Sequence, residues 1–281
     1  MIRAQTPEGY LLIGHQEHAR LAGRFAGRWG NALFPPPAPP VALDEILLAV
    51  FHHDDAWAGR IATAGGERAT PFLTRENRPS AFTRELVGTY SAFEEIDLAD
   101  YLAVRGAATE AVATEHPYAA IIISMHTVNL LTEQADLSTI KAAERPLHTA
   151  FIEGQLRRQK ELAASLPPAL AAHANREQLQ RAFEFLQLCD NLSLLTCVRY
   201  DSPRPLRHTH LDAAGVRHTL TCTPVAAETY LIDPWPFDTP TADFSVPARH
   251  VPAAACANLA AFRTAHTTAP IEQLPIHLVP A

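Results

Sequence analysis

The sequence predicts an α+β protein, mainly α-helical over residues 1–200, with a small antiparallel β-sheet over 201–281 packed on the helices as one compact domain. Three observations lead there. Apolar residues recur at three- and four-residue spacing through most of the chain up to about Tyr200. Beyond it, apolar and polar residues alternate between Gly and Pro punctuation, the pattern of short strands. At 281 residues and 47% hydrophobic, the chain is long enough to bury a real core.

Taken in order, GYLLIGHQ reads as a short strand that ends at its glycine. From Gln16, the spacing of Leu21, Ala22, Phe25, Ala26 and Trp29 predicts a helix, which Gly30 and Asn31 stop. FPPPAPP follows as a stiff, extended connector. A second helix begins near Asp44, a capping residue, and carries Ile46, Leu47 and Val50 into FHHDDAW, residues 51–57. Residues 60 to about 90 read as irregular, and helical pattern resumes from about Asp97 to Ala113. Pro117 suits a first helical turn, and HPYAAIIISMHTVNLLTEQ is so apolar that its helix must be central. A further helix spans about 137 to 164, with Pro146 expected to break or kink it. The clearest helix is NREQLQRAFEFLQLCDNLSLLTCVRY, capped by Asn175. LRHTHLD, VRHTLTCTPV and ETYLIDPWPF then read as strands, with DAAG as a turn. DPWPF, residues 233–237, reads as a rigid apolar plug that docks the tail on the helices.

Composition excludes several classes. Net charge is -7 and the pI about 6.0, with no basic run longer than Arg157-Arg158, which argues against a nucleic-acid partner. No stretch of about 20 apolar residues exists, so no membrane span is expected. The opening MIRAQTPEGY lacks the apolar core of a secretory signal. Cys189, Cys197, Cys222 and Cys256 show no CxxC spacing, which points to a reduced, cytoplasmic protein without disulfides or a thiolate zinc site.

Four helices each offer a metal-ligand type of side chain. His18 shares a face with Leu21, Ala22 and Phe25. His53 and Asp54 follow Val50 at helical spacing, His126 sits in IIISMHTVNLL, and Asp190 shares a face with Phe183, Leu186 and Leu194. An ionised carboxylate on an apolar face is costly unless it is paired or metal-bound. Singly, each of these residues also fits a hydrogen-bonded core role. Together they point imidazole and carboxylate groups at one core, and a divalent metal (Mn, Fe, Ni, Zn or Mg) satisfies them in common. His15 reads as an exposed strand-end residue, and His208 and His210 as surface residues.

The ordered set His18, His53-Asp54 and Asp190 resembles the H…HD…D signature of the HD superfamily of metal-dependent phosphohydrolases. HAxLAG after His18, HHDDAW, SMH, CDNLSL and the late DPWPF resemble more closely the DUF3891 family of uncharacterised bacterial proteins. The HD resemblance implies an HD-like helix bundle with His18, His53, Asp54 and Asp190 as metal ligands. It makes His126 a further ligand or the proton donor to a leaving group, so that Asp54 and His126 carry the catalysis. The implied substrate is a small phosphate ester or nucleotide, and the alternative is a non-catalytic metal- or ligand-binding protein on the same scaffold. Many HD hydrolases follow the pair with a lysine; here Asp55, Ala56 and Trp57 follow it, and the chain has only Lys141 and Lys160. A phosphate clamp would then come from arginines such as Arg24, Arg60 or Arg145, and support for the ligating histidines from Glu17 or Asp55.

Overall fold

A computed structural model of the protein describes residues 2–57 and 98–281. The stretch expected to be irregular, and Arg60 within it, lie outside the described residues. The chain opens with a hairpin of β1 (Ile2–Thr6) and β2 (Gly9–Ile13). Helices α1 (His15–Gly27), α2 (Pro40–His52), α3 (Leu98–Ala113) and α4 (Pro117–Asn129) follow. A π-helical turn, Leu130–Gln134, extends α4. Next come α5 (Arg145–Ala164), the short α6 (Pro168–Ala171) and the long α7 (Arg176–Cys197). The chain closes with β3 (Arg204–Leu211), β4 (Arg217–Ala226), β5 (Thr229–Asp233), β6 (Ala242–Pro252), α8 (Leu259–Thr268) and β7 (Glu272–Pro280).

The class α+β holds, but the small C-terminal antiparallel sheet and the mainly helical bundle do not. Among the described residues, seven strands form one mixed sheet in the order β1-β2-β6-β7-β5-β4-β3, so the first and last segments of the chain pair side by side. β5 and β7 run parallel; every other pair is antiparallel. Prolines hid β6 and β7 from the sequence reading, since a central strand needs its N–H groups on both sides. The fold avoids that conflict. Pro247 lies ahead of the stretch of β6 that pairs with β2, and Pro275 ahead of the stretch of β7 that pairs with β5. Each proline therefore has a strand neighbour on one side only, where a missing N–H is tolerated.

Helix starts follow the same local logic with two corrections. α2 begins at Pro40 rather than near Asp44, because a proline is well suited to a first turn whose N–H has no helical partner. For that reason too, Pro146 opens α5, so of the expected break or kink it is the break that forms, and the helix starts at Arg145 rather than about 137. Asn175 caps α7 as expected, its Oδ1 accepting from Gln178 N at 3.0 Å. The DAAG turn forms with Gly215 at φ 80°, and Asp212 Oδ1 accepts from the Ala214 and Val216 amides.

One face of the sheet meets α1, α2, α4 and α7 in the main core, where Leu11, Ile13, Leu220, Ile232 and Val246 pack with Phe25, Ile46, Ile122 and Leu188. The alternate residue Leu12 points the other way, to Val251, Cys256 and Phe262 of the α8 side. DPWPF does dock the tail: Phe237 bridges to Trp29 and packs on Phe25, while Asn31 Nδ2 donates to the Trp235 carbonyl at 2.9 Å. At Gly23 the fold demands a missing side chain, because a Cβ there would lie 2.4 Å from the Phe51 ring. That close approach seats the second half of α1 against the end of α2.

Candidate metal centre

FHHDDAW splits into an outer and an inner pair. His52 and Asp55 remain partly exposed; they pair with each other at 2.6 Å, and Asp55 also pairs with Arg20 at 2.7 Å. His53 and Asp54 are buried, at 0% and 3% exposure. His53 occupies the C-cap of α2, and the following tight turn (Asp55 N to His52 O at 3.0 Å) rotates Asp54 inward beside it.

Four further elements converge on that inner pair. α1 brings His15 and His18, three residues apart and so on one face. α3 brings Arg105, α4 brings His126, and α7 brings Asp190; all are buried. Among the described residues, the groups His15–His18–Asp54, His18–His53–Asp190 and His53–Asp54–His126 each have ligand atoms within 4.8 Å of one another. The protein therefore contains buried His and Asp groups that could hold a metal.

The two carboxylates are presented differently. Asp54 Oδ1 receives Arg105 Nη1 at 2.6 Å, which leaves Oδ2 facing His18 Nε2 at 3.0 Å and His15 Nδ1 at 3.4 Å. Asp190 Oδ1 lies 3.3 Å from His53 Nε2 and 3.7 Å from His18 Nδ1. The far sides of two rings are anchored. His53 Nδ1 donates to the Val50 carbonyl at 2.8 Å, one of the helix-end carbonyls without a helical donor. Ser193 spends its hydroxyl proton on the Asp190 carbonyl at 2.8 Å, so its oxygen accepts from His18 Nδ1 at 2.9 Å. Each ring thus carries a proton on Nδ1 and turns its Nε2 towards a carboxylate oxygen. Such a contact closes either with a second proton on the ring or with a metal cation between nitrogen and oxygen.

Electrostatics keep both carboxylates ionised. Burial opposes ionisation of Asp54, yet Arg105 and His53 outweigh it and hold its pKa well below the usual carboxylate range. Burial likewise opposes Asp190, but His53, His126 and His18 bring it down to about 2. Burial disfavours a charged His53; Asp54 and Asp190 overcome this and raise its pKa. Burial pushes His15 and His126 down to about 3, so both are neutral near pH 7.

All five residues singled out from sequence, His18, His53, Asp54, His126 and Asp190, meet in this cluster. Several other expectations are corrected. His15 is buried and stacks on Trp57 at 4.7 Å, against the expectation of an exposed strand end. Its position three residues before His18 was the available signal. The cation at the cluster is Arg105, flanked by Tyr101 at 5.2 Å and Trp57 at 5.7 Å. Arg24 instead donates to the Ser245 carbonyl, and Arg145 is exposed. Nothing in YLAVRGAA marked Arg105 in advance. Val50 and Ser193, rather than Glu17 or Asp55, anchor the rings. His210 is buried and meets the Pro35 carbonyl at 3.1 Å, so it is not a surface residue; His116 pairs with Glu45 at 2.9 Å.

Fold and site together define an α+β protein whose helices close a buried His/Asp cluster against a seven-stranded mixed sheet. The chain belongs to the family described as "Protein of unknown function (DUF3891)", whose model matches residues 1–253. No curated protein and no solved structure matches it. Among the described residues, no helix is long and apolar enough to cross a membrane.

Proposed function

We propose that His18, His53, Asp54 and Asp190 hold one divalent transition metal, and that the protein is a metal-dependent phosphohydrolase acting on a small phosphate ester or nucleotide. The observation that carries this reading is the pair of anchored imidazoles. His18 and His53 each lock their proton on the outer nitrogen and aim Nε2 at Asp54 Oδ2 and Asp190 Oδ1, 3.0 and 3.3 Å away. Metal-binding histidines are commonly held in this way, by a carbonyl or hydroxyl behind the ring. Two nitrogens and two carboxylate oxygens suit Mn, Fe, Ni or Zn. The order His18, His53-Asp54, Asp190 is similar to the ligand order of the HD superfamily, which supports hydrolysis of a phosphate ester as the reaction class.

A divalent cation held here supplies Lewis-acid activation, lowering the pKa of water from roughly 15.7 towards about 7. The chain's own residues do the rest. Arg105 fixes Asp54 through Oδ1 so that Oδ2 is the oxygen offered. Buried Trp57 and Tyr101 keep bulk water from the Arg105–Asp54 pair. His126, neutral at pH 7, offers an N–H to the leaving oxygen.

One observation favours a second reading, a non-catalytic protein on the same scaffold. Arg105 and a protonated His53 together match the charges of Asp54 and Asp190, so the cluster can close without a metal. Elemental analysis of untagged protein, followed by a phosphomonoester, phosphodiester and nucleotide panel, separates the two. The metallohydrolase reading expects about one metal per chain, lost in His53→Ala/Asp54→Ala, and turnover that needs it. Undiminished metal in that double variant, or a loaded protein that hydrolyses nothing in the panel, would overturn it.

A further inference from the structure

His126 is wired in the opposite sense to His18 and His53. Its Nδ1 faces the amide nitrogen of Gln187 at 2.9 Å, and an amide nitrogen only donates. The Gln187 amide is itself oriented by two neighbours: Gln134 Nε2 donates to its Oε1 at 3.1 Å, and its Nε2 also reaches Asn129 Oδ1 at 3.3 Å. Gln134 gets there because α4 ends in a π-helical turn, closed by Ala135 N to Leu130 O at 3.0 Å. The wider turn brings Gln134 back over Asn129, five residues earlier, where the two side chains bond at 2.7 Å. Such turns are often found at functional sites.

We propose that Gln187 is a positioning residue that fixes His126 as the Nε2–H tautomer, sorting three of the cluster's four histidines into metal ligands (His18, His53) and one hydrogen-bond donor (His126). A neutral imidazole has one N–H. With Nδ1 accepting from Gln187, that N–H is on Nε2, so His126 has no lone pair to give a metal and presents a donor to an oxygen instead. What the donor serves, an oxygen gaining negative charge as the phosphate ester breaks, rests on the proposed hydrolase activity. The tautomer itself does not.

The test is therefore made first on metal-free protein. Histidine labelled with ¹⁵N distinguishes protonated from bare ring nitrogens by long-range ¹H–¹⁵N correlation, and His126→Gln assigns the signals. The expected wild-type result is His126 protonated on Nε2, with His18 bearing its proton on Nδ1. Gln187→Glu replaces the donor with a carboxylate acceptor and should move the His126 proton to Nδ1, freeing Nε2. In the metal-loaded form, that variant should bind metal more tightly and turn over about 10²- to 10³-fold more slowly, the usual effect of losing one such donor. KM should change little. A wild-type His126 protonated on Nδ1 overturns the inference whether or not the variant folds. So does a folded Gln187→Glu variant with an unchanged tautomer. Failure of every form to bind metal or hydrolyse esters would remove the hydrolase reading and leave the tautomer result standing.

Discussion

Replacing Asp190 by asparagine keeps the shape of the side chain and removes its charge, so it isolates what the carboxylate does. The pKa of Asp190 lies at about 2 against an ordinary 3.8. At about 1.36 kcal/mol per unit, the ionised group contributes on the order of 2 kcal/mol to metal-free stability at pH 7. Asp190→Asn should therefore lower the metal-free unfolding free energy by about that amount. Metal adds a second, larger difference. A ligand at 100 times its Kd stabilises the folded state by about 2.7 kcal/mol, and at roughly 2–4 °C per kcal/mol this raises Tm by about 5–10 °C. Wild type titrated with Mn, Fe, Ni or Zn should show that rise, and Asp190→Asn should lose most of it. Thermal and urea unfolding, each with and without metal, read both effects. An equal metal-induced rise in the two proteins would show that Asp190 is not a ligand. A metal-free variant as stable as wild type would refute the electrostatic account of the cluster.

Three further outcomes follow from the same geometry. Ser193→Ala removes the acceptor behind His18 Nδ1 and should weaken metal binding about 10- to 100-fold, as loss of such a supporting partner usually does; unchanged affinity in a metal titration would show that the Ser193 anchor is idle. Gly23→Ala drives a methyl into Phe51, which should cost about 1–3 kcal/mol and part His18 from His53 and Asp54; a variant with wild-type stability and metal affinity would refute that contact. The metal-free protein should lose stability as pH falls from 6.5 towards 3. His15 and His126, held down to about 3 by burial, stay neutral when folded but take protons when unfolded, so acid favours the unfolded chain. The raised pKa of His53 works in the opposite direction, its contribution being complete below 6.5 and lost as pH rises through the folded value. His15→Gln should flatten the acid limb by about 1.36 kcal/mol per pH unit, the weight of one proton; an unaltered limb in urea midpoints across pH would count against the buried neutral His15.

The sequence by itself determined the main helices before Tyr200, though not α8, and which of their faces turn inward, because helical spacing is a local property. It placed Asn175 as a cap, Pro117 at a first turn, and His18, His53, Asp54, His126 and Asp190 on buried faces. The convergence of those five was legible too, since separate apolar helices must share one core and so must the polar groups they carry. Tertiary structure alone decided the sheet. β2 pairs with β6, more than 200 residues away, and no local pattern encodes a partner at that distance. The prolines of β6 and β7, read locally, argue against strands; only the pairing map shows that each lies where a neighbour is absent. Nor could sequence find Arg105, whose role depends on how α3 packs, or tell His126 from His18 and His53. The proton on each ring is placed by what stands behind it, Ser193, Val50 or Gln187, and those contacts exist only once the helices have closed on one another.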